Sequence, residues 1–402
     1  MSEQQGELGT HTSGETVTTT NSDLRVAATT IEVHTRADDL PAVAWDSLLA
    51  PDDLFLSRPW LRVVESSARV PMRYLIARRH GVARAGLATA VLDGTAPWLL
   101  GRPDTLLTHA AAENLPGARR LLDDLTGDLM PALVCGGRHL GRTRMLLADS
   151  ATRADIDALL DRAEQLGREL GAYSVCFLYT DDRDPALAEA LRRRGYDSHM
   201  SARYCWLPVP PNGFDGYLAL LSAHRRRRVL AERRHIAASG VTIGVEPLTA
   251  AIVPRLAAME TELFHKYGMR EWPVEQSLDL LRSVRREFAS AALVTTARAD
   301  GDLRGFCLFV PFGNHWYAYR TGFDYAFQAQ HRLPLYYELL FYTPVRLAAA
   351  TGASVIHYGT ASTAAKLSRG CQTSEESCYL RRLPRDDDGD LVALTATSRS
   401  GR

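Results

Sequence analysis

The chain has 402 residues, of which 46% are apolar and 23% charged, and its 47 basic and 47 acidic side chains balance at neutral pH. That is ordinary globular composition, which excludes a disordered polymer, a fibrous repeat and an electrostatic coat for nucleic acid. No run of about 18 uncharged apolar residues occurs, so no membrane span is expected, and the length suggests two domains.

Residues 1–24 are polar, acidic and rich in Thr and Ser; they do not read as a signal peptide and are expected to be disordered. IEVHT (31–35) reads as a strand, followed by helices near 41–49 and 59–67. YLIARR (74–79) and ARAGLATAVL (83–92) are strands joined through HGV as a hairpin. Helices fit 116–129 and 152–170, YSVCFLY (173–179) is a buried strand, and 184–195 is a helix closed by Gly195. ARYCWLPV (202–209) is a strand running into PPNG, a natural boundary. Beyond it the pattern predicts one long helix over 214–239, the strand VTIGVEPL, and helices over 249–267 and 273–288. Strands follow at 292–299, 303–312 and 315–323, then a helix over 334–350, VIHYG (355–359) as a strand and SCYLRRL (377–383) as the last. The tail after Pro384 reads as loose, with LVAL as a possible edge strand. Both halves share the loose order strand, helices, antiparallel strands, helix, strand, without a residue-level repeat. This mixture predicts an α+β (mixed α/β) fold rather than a doubly wound sheet.

Of the 47 basic residues, 45 are Arg and only Lys266 and Lys366 are Lys. Where Arg is used so freely, a surviving Lys is a candidate for a role that needs a compact, deprotonatable ammonium; the bland reading is chance survival on the surface. Lys366 lies in HYGTASTAAKLSRGC (357–371), where a strand ends at Gly359 and opens into a hydroxyl-rich loop. Loops at strand ends commonly carry working side chains, and a Lys there could stabilise an oxyanion. On the helix 214–239, Leu218, Leu221, Val229 and Ile236 form an apolar stripe into which Arg225 points. Arg225 would then either pair with Glu232 or offer its planar fork to an anion. Residues 222–235 carry six Arg against one Glu, a solvated basic face or one that meets an RNA backbone. In NHWYAYRTGFDYAF, alternation places Trp316, Ala318 and Arg320 on one face and Tyr317, Tyr319 and Thr321 on the other. Lys266 and Tyr267, ending a helix before Gly268, fit a helix-dipole partner or a site.

The six cysteines show no CxxC and no paired Cys/His spacing, so a reduced, metal-free, cytoplasmic protein is expected. GxGxxG, Walker A, GxSxG, HExxH and Asp-rich metal loops are all absent from the sequence, which argues against nucleotide- or metal-dependent chemistry.

The runs FDGYLALLSAHRRRRVLAERRHIAASG, HKYG, GFDYAFQAQHRLPLYYELLFYTPVRLAAATG and HYGTASTAAKLSRG resemble the Fem-type branch of the GNAT acyltransferase superfamily, often labelled peptidoglycan biosynthesis or BioF2-like. The resemblance covers about 200–380, and AWDSLLAPDDLFLSRPWLRVVE with YLIARRHGVARAGLATAV resembles the usual companion domain. It implies two tandem GNAT-like domains, each a mixed, mostly antiparallel sheet flanked by helices: 25–205 degenerate, 206–385 the acyltransferase domain, 386–402 a loose tail. Characterised Fem-like members take an aminoacyl group from aminoacyl-tRNA and attach it to a cell-wall precursor or, in antibiotic pathways, to a small amine. Lys366 with Gly370 resembles the Lys-x-x-x-Gly segment in which these enzymes place a catalytic lysine. The inserted coiled-coil arm of the wall enzymes is missing, and FQAQHRLP stands where acyl-CoA members carry a glycine-containing pyrophosphate loop.

The expected activity is therefore aminoacyl transfer from aminoacyl-tRNA to an amine of a small molecule or peptide, in a cell-wall or natural-product pathway, without a cofactor and without DNA. Lys366 is the expected catalytic residue; Arg225, Arg228, Lys266, Tyr267, Tyr319, Arg320, Tyr358, Thr360, Ser362 and Arg369 are the expected substrate contacts. The alternatives are N-acetylation from acetyl-CoA or another acyl-CoA, and a non-catalytic GNAT-like binding protein.

Overall fold

A computed structural model describes residues 29–384, apart from 69, 97–98, 126, 138–140 and 182–183. The expected disorder of 1–24 and looseness of 386–402 lie outside the described residues.

Thirteen strands form one sheet: β1 Thr30–His34, β2 Met72–Arg79, β3 Val82–Leu92, β4 Ala132–Cys135, β5 Leu146–Leu147, β6 Ser174–Asp181, β7 Asp197–Pro208, β8 Thr242–Pro247, β9 Leu293–Ala299, β10 Asp302–Phe312, β11 His315–Phe323, β12 Val355–Gly359 and β13 Gln372–Arg382. Their order is β1-β2-β3-β4-β6-β13-β7-β12-β11-β10-β9-β8, with β5 on β3. From either edge inward the pairings repeat: three antiparallel contacts, then a parallel pair, β4–β6 in one half and β11–β12 in the other. The last strand of each half then crosses over. β13 inserts between β6 and β7, and β7 inserts between β13 and β12, so their antiparallel ladder joins the halves into one sheet. The expected division at 205/206 falls inside β7.

Local chemistry explains the hairpins. His80–Gly81 joins β2 to β3 and Asp300–Gly301 joins β9 to β10, each with two positive φ angles, the turn whose twist matches that of the strands. One face of the sheet carries a core shared by both halves, built on helices Arg58–Ala68, Val253–Lys266 and Val274–Phe288 with Trp60, Leu61, Leu256, Met259 and Leu281. Arg62 Nε donates to Glu287 Oε2 at 2.6 Å and Gln276 Nε2 to the Ser67 carbonyl at 2.7 Å, tying the first-half helix to the second half. The opposite face carries two separate cores, one per half. All six cysteines are buried free thiols.

Several expectations need correction. The long helix over 214–239 is two helices, Gly213–Leu220 and Ala223–Ala237, because Leu221 turns extended and Ser222 caps the second. The Leu218–Ile236 stripe therefore does not continue in register, and Arg225 is exposed instead of pointing into it. The helix over 334–350 contains a π-helical segment, Glu338–Tyr342, flanked by Leu335–Tyr337 and Thr343–Ala350. The helix expected over 116–129 is confined to Ala118–Asp124, while Pro103–Ala112 forms an unforeseen helix. On β11 the register skips Tyr319, since Leu308 pairs with Arg320 but Phe309 with Ala318. This bulge turns Arg320 onto the side of Tyr317 and Tyr319, not that of Trp316 and Ala318.

Two positions further on, a Cβ on Gly322 would lie 2.8 Å from the Met259 carbonyl carbon and 2.9 Å from the Glu260 nitrogen. Backbone cannot yield as a side chain does, so Gly322→Ala is expected to cost roughly 1–3 kcal/mol by overpacking. Thermal denaturation checks this; an unchanged midpoint would mean that the helix is free to shift away from β11.

Candidate active site

Strands β11 and β12 pair only through His315–Val355, Trp316–Ile356 and Tyr317–His357. Beyond those rungs they part, leaving a gap between Ala318–Phe323 and the end of β12. The chain leaves β12 at Gly359 (φ +67), passes Ser362 (φ +57) and enters the short helix Thr363–Leu367. These left-handed residues turn the chain back on itself, so Lys366 points inward and is only 3% exposed. Its Nζ donates to the carbonyls of Tyr358 at 2.6 Å and Gly359 at 3.0 Å. Burial pulls the ammonium down to about 8, opposed by the nearby thiols of Cys205, Cys371 and Cys307. An ammonium has three N–H groups, and two carbonyls leave one for a reacting oxygen.

Lys266, Tyr267 and Ser362 gather at the mouth. Lys266 Nζ sits 4.0 Å above the ring of Tyr325. Exposed Tyr267 is within electrostatic reach of Tyr325 and Tyr336, and Tyr336 is hydrogen-bonded with Ser362. Tyr336 and Lys366 both feel the thiol of Cys307.

Other expected contacts are placed differently. Tyr358 reaches Lys366 through its carbonyl, while its ring packs 4.6 Å from Phe341 in the core. Thr360 is half-buried against the first half; a Cβ on Gly141 would come within 3.3 Å of its methyl. Tyr319 and Arg320 lie on the opposite face of the sheet: Tyr319 packs on Trp60 at 4.6 Å, and Arg320 is 2.9 Å from the buried carboxylate of Glu260. Arg225 donates to the Leu367 carbonyl at 3.3 Å, and exposed Arg228 bonds Glu232 at 2.9 Å. Buried Arg369 is held by Glu232 at 2.8 and 2.9 Å, so the acid expected for Arg225 is taken by Arg369 and Arg228.

At the base of the gap lies a polar cluster that the sequence reading missed. His357 Nδ1 faces Arg142 Nη1 at 3.3 Å, and its Nε2 faces His315 Nδ1 at 2.8 Å. Arginine can only donate, so His357 carries its proton on Nε2 and donates it to His315. Arg142 also binds Asp52, whose other oxygen takes Arg144 at 2.9 Å, and Tyr317 donates to the Asp52 carbonyl at 2.6 Å. Burial, then Arg142, keeps His357 well below the ordinary histidine range. Burial raises Asp52, but Arg142 and Arg144 outweigh it and hold its carboxyl well below the usual range. No local sequence signal marks the cluster, because it forms only through the β11–β12 register, which stacks His357 on Tyr317 at 4.4 Å.

Among the described residues no helix is long and apolar enough to cross a membrane, and no group of three or more His, Cys, Asp or Glu could hold a metal ion. The FemAB-like family model, described as peptidoglycan biosynthesis/recognition, matches residues 139–384, more than half the chain. Among solved structures, that of FemX aligns with a TM-score of 0.58 at 11% identity, covering 88% of this chain and 97% of that one. A tandem GNAT protein from the clavulanic acid biosynthesis pathway aligns with a TM-score of 0.45 at 13% identity, covering 89% and 100%. No curated protein matches the sequence.

Proposed function

Because the chain belongs to the FemAB-like family and shares the fold of FemX, we propose that it is an acyltransferase that moves an aminoacyl group from aminoacyl-tRNA to an amine of a small molecule or peptide. The observation that carries the choice of donor is the helix after β11, Tyr325–His331. It takes up most of the glycine-free stretch FQAQHRLP that stands where acyl-CoA members carry their pyrophosphate loop, and its N-terminus is capped by a carboxylate: Asp324 Oδ1 accepts from the Phe327 nitrogen at 2.9 Å. Arg304 binds the other oxygen at 2.9 Å, and burial, although it raises Asp324, is outweighed by these partners, so the group stays ionised. A carboxylate beside that stretch repels a phosphate and occupies one of the backbone donors.

In this reading a neutral amine attacks the ester carbonyl carbon of the donor, and a tetrahedral oxyanion forms. The remaining N–H of Lys366 stabilises that oxyanion; collapse breaks the ester C–O bond, and the terminal ribose hydroxyl leaves with a proton the amine gives up. Exposed Arg225, bonded to the Leu367 carbonyl beside Lys366, and exposed Arg227 and Arg234 elsewhere on Ala223–Ala237 supply charge for the RNA backbone. A charged tRNA donor places the reaction in the cytoplasm, with the acceptor drawn from cell-wall or natural-product chemistry.

The test offers the purified protein charged tRNA or acetyl-CoA with a panel of amines. Transfer from tRNA is expected, with tRNA affinity falling steeply with salt and no thermal stabilisation by CoA. Saturable stabilisation by CoA together with acetyl transfer would overturn the reading.

A further inference from the structure

Arg369, expected as a substrate contact, has all three of its guanidinium nitrogens engaged by the protein. Nη2 grips both oxygens of Glu232 at 2.8 and 2.9 Å, Nε donates to the Tyr342 hydroxyl at 2.7 Å, and Nη1 to Ser368 Oγ at 2.7 Å. Its guanidinium lies 3.6 Å over the ring of Tyr337, and the side chain is 3% exposed. Three elements meet on it: helix Ala223–Ala237 through Glu232, the π-helical segment through Tyr342, and the turn that carries Lys366. Tyr342 also donates to Glu232, which closes the triangle.

The link to Lys366 is short. The Arg369 nitrogen donates to the Lys366 carbonyl at 2.9 Å and the Cys371 nitrogen to the same oxygen at 3.2 Å. Gly370 sits at φ +86, a conformation that favours glycine, and a Cβ there would lie 3.2 Å from the Leu221 side chain. Arg225 on the same helix binds the Leu367 carbonyl. The chain that follows Lys366 is therefore pinned to helix Ala223–Ala237 at Leu367 and Arg369.

Resting on the reading of Lys366 as the oxyanion donor, we propose that Arg369 and Glu232 are positioning residues that hold the Lys366 ammonium in its dry, carbonyl-capped seat. A planar guanidinium held at all three of its nitrogens, by Tyr342, Ser368 and Glu232, is fixed in direction as well as distance, which a single contact would not achieve. Once the pair is broken, the turn can rotate and the ammonium can reach water.

The test exploits the chain's two lysines. Full-length protein labelled with 13C at lysine Cε gives two side-chain resonances, and Lys266→Arg assigns the one from Lys366 by removing the other. In the otherwise native protein the Lys366 resonance is expected to titrate near pH 8. In Glu232→Gln, and in Arg369→Gln, which loses the guanidinium without adding a lysine, the midpoint should rise by about one unit or more toward the ordinary lysine value. In the transfer assay the same variants should lose roughly tenfold in kcat, with KM for charged tRNA changed less than about twofold. Unmoved midpoints in folded variants overturn the proposal, as does a rise in KM with kcat unchanged, which would make Arg369 a substrate ligand. If the midpoints move but the parent protein transfers nothing from charged tRNA, the positioning stands and the functional reading fails.

Discussion

Lys366→Met is expected to slow transfer by roughly 10²–10³-fold, the usual cost of removing one oxyanion donor, with KM for the donor nearly unchanged. Methionine fills the space of the buried stem without a charge, so the loss reports chemistry rather than collapse. The working form is the ammonium, so activity of the native enzyme should fall as pH rises through about 8. Stability should move the opposite way. The folded state holds this proton less tightly than the unfolded chain, whose lysine titrates near 10.5. Below about pH 8 both states are protonated and the burial cost is fully present; between about 8 and 10.5 the folded state sheds the proton first and the cost is relieved. Urea unfolding at about pH 7.5 and 9.5 should show the native protein gaining roughly 2 kcal/mol from this group relative to Lys366→Met. A Met variant that transfers as fast as its parent would remove Lys366 from the chemistry.

How far the sequence was legible follows from the range of each interaction. Lys366 could be singled out because a lysine among 45 arginines is a residue-level signal. The hairpin at His80–Gly81 could be read because its turn chemistry is local. The exchange of β7 and β13 could not, since nothing in Asp197–Pro208 tells a strand to pair with residues over 160 positions away. β4, four residues buried on both faces, shows no alternation and passes for any short apolar run. The stripe through Arg225 failed at one residue, because a serine can continue a helix or cap a new one. The faces of β11 failed at one bulged tyrosine. Arg369 and Glu232, 137 positions apart, were each noted, but only the fold shows that they consume one another.

The second large effect belongs to the clamp between the halves. Asp52→Ala leaves Arg142 without its carboxylate partner and Arg144 with only Asp53 at 2.8 Å. Arg142 is 6% exposed, and water cannot replace the lost partner at its full strength. Removing one side of a buried pair typically costs about 3–5 kcal/mol, because the other charge stays buried. Arg142→Met should cost less, since Arg144 still neutralises Asp52. The order of the two variants is therefore diagnostic: thermal or urea unfolding should place Asp52→Ala below Arg142→Met, and the reverse order would mean that the histidines, not the carboxylate, set the strength of the clamp. The pH dependence has a worked sign as well. His357 and His315 are both held below the ordinary histidine value, His357 by burial and then Arg142, His315 chiefly by burial. As pH falls through about 6.5 the unfolded chain takes up protons that the folded clamp refuses, so stability drops. Asp52, held low, keeps contributing until the pH falls far below the normal carboxylate range. His357→Gln, which cannot titrate, should therefore flatten the stability profile between about pH 6.5 and 5 while leaving the steeper acid limb in place. A profile that stays as steep as the parent's in that window would show that the proton uptake occurs elsewhere in the chain.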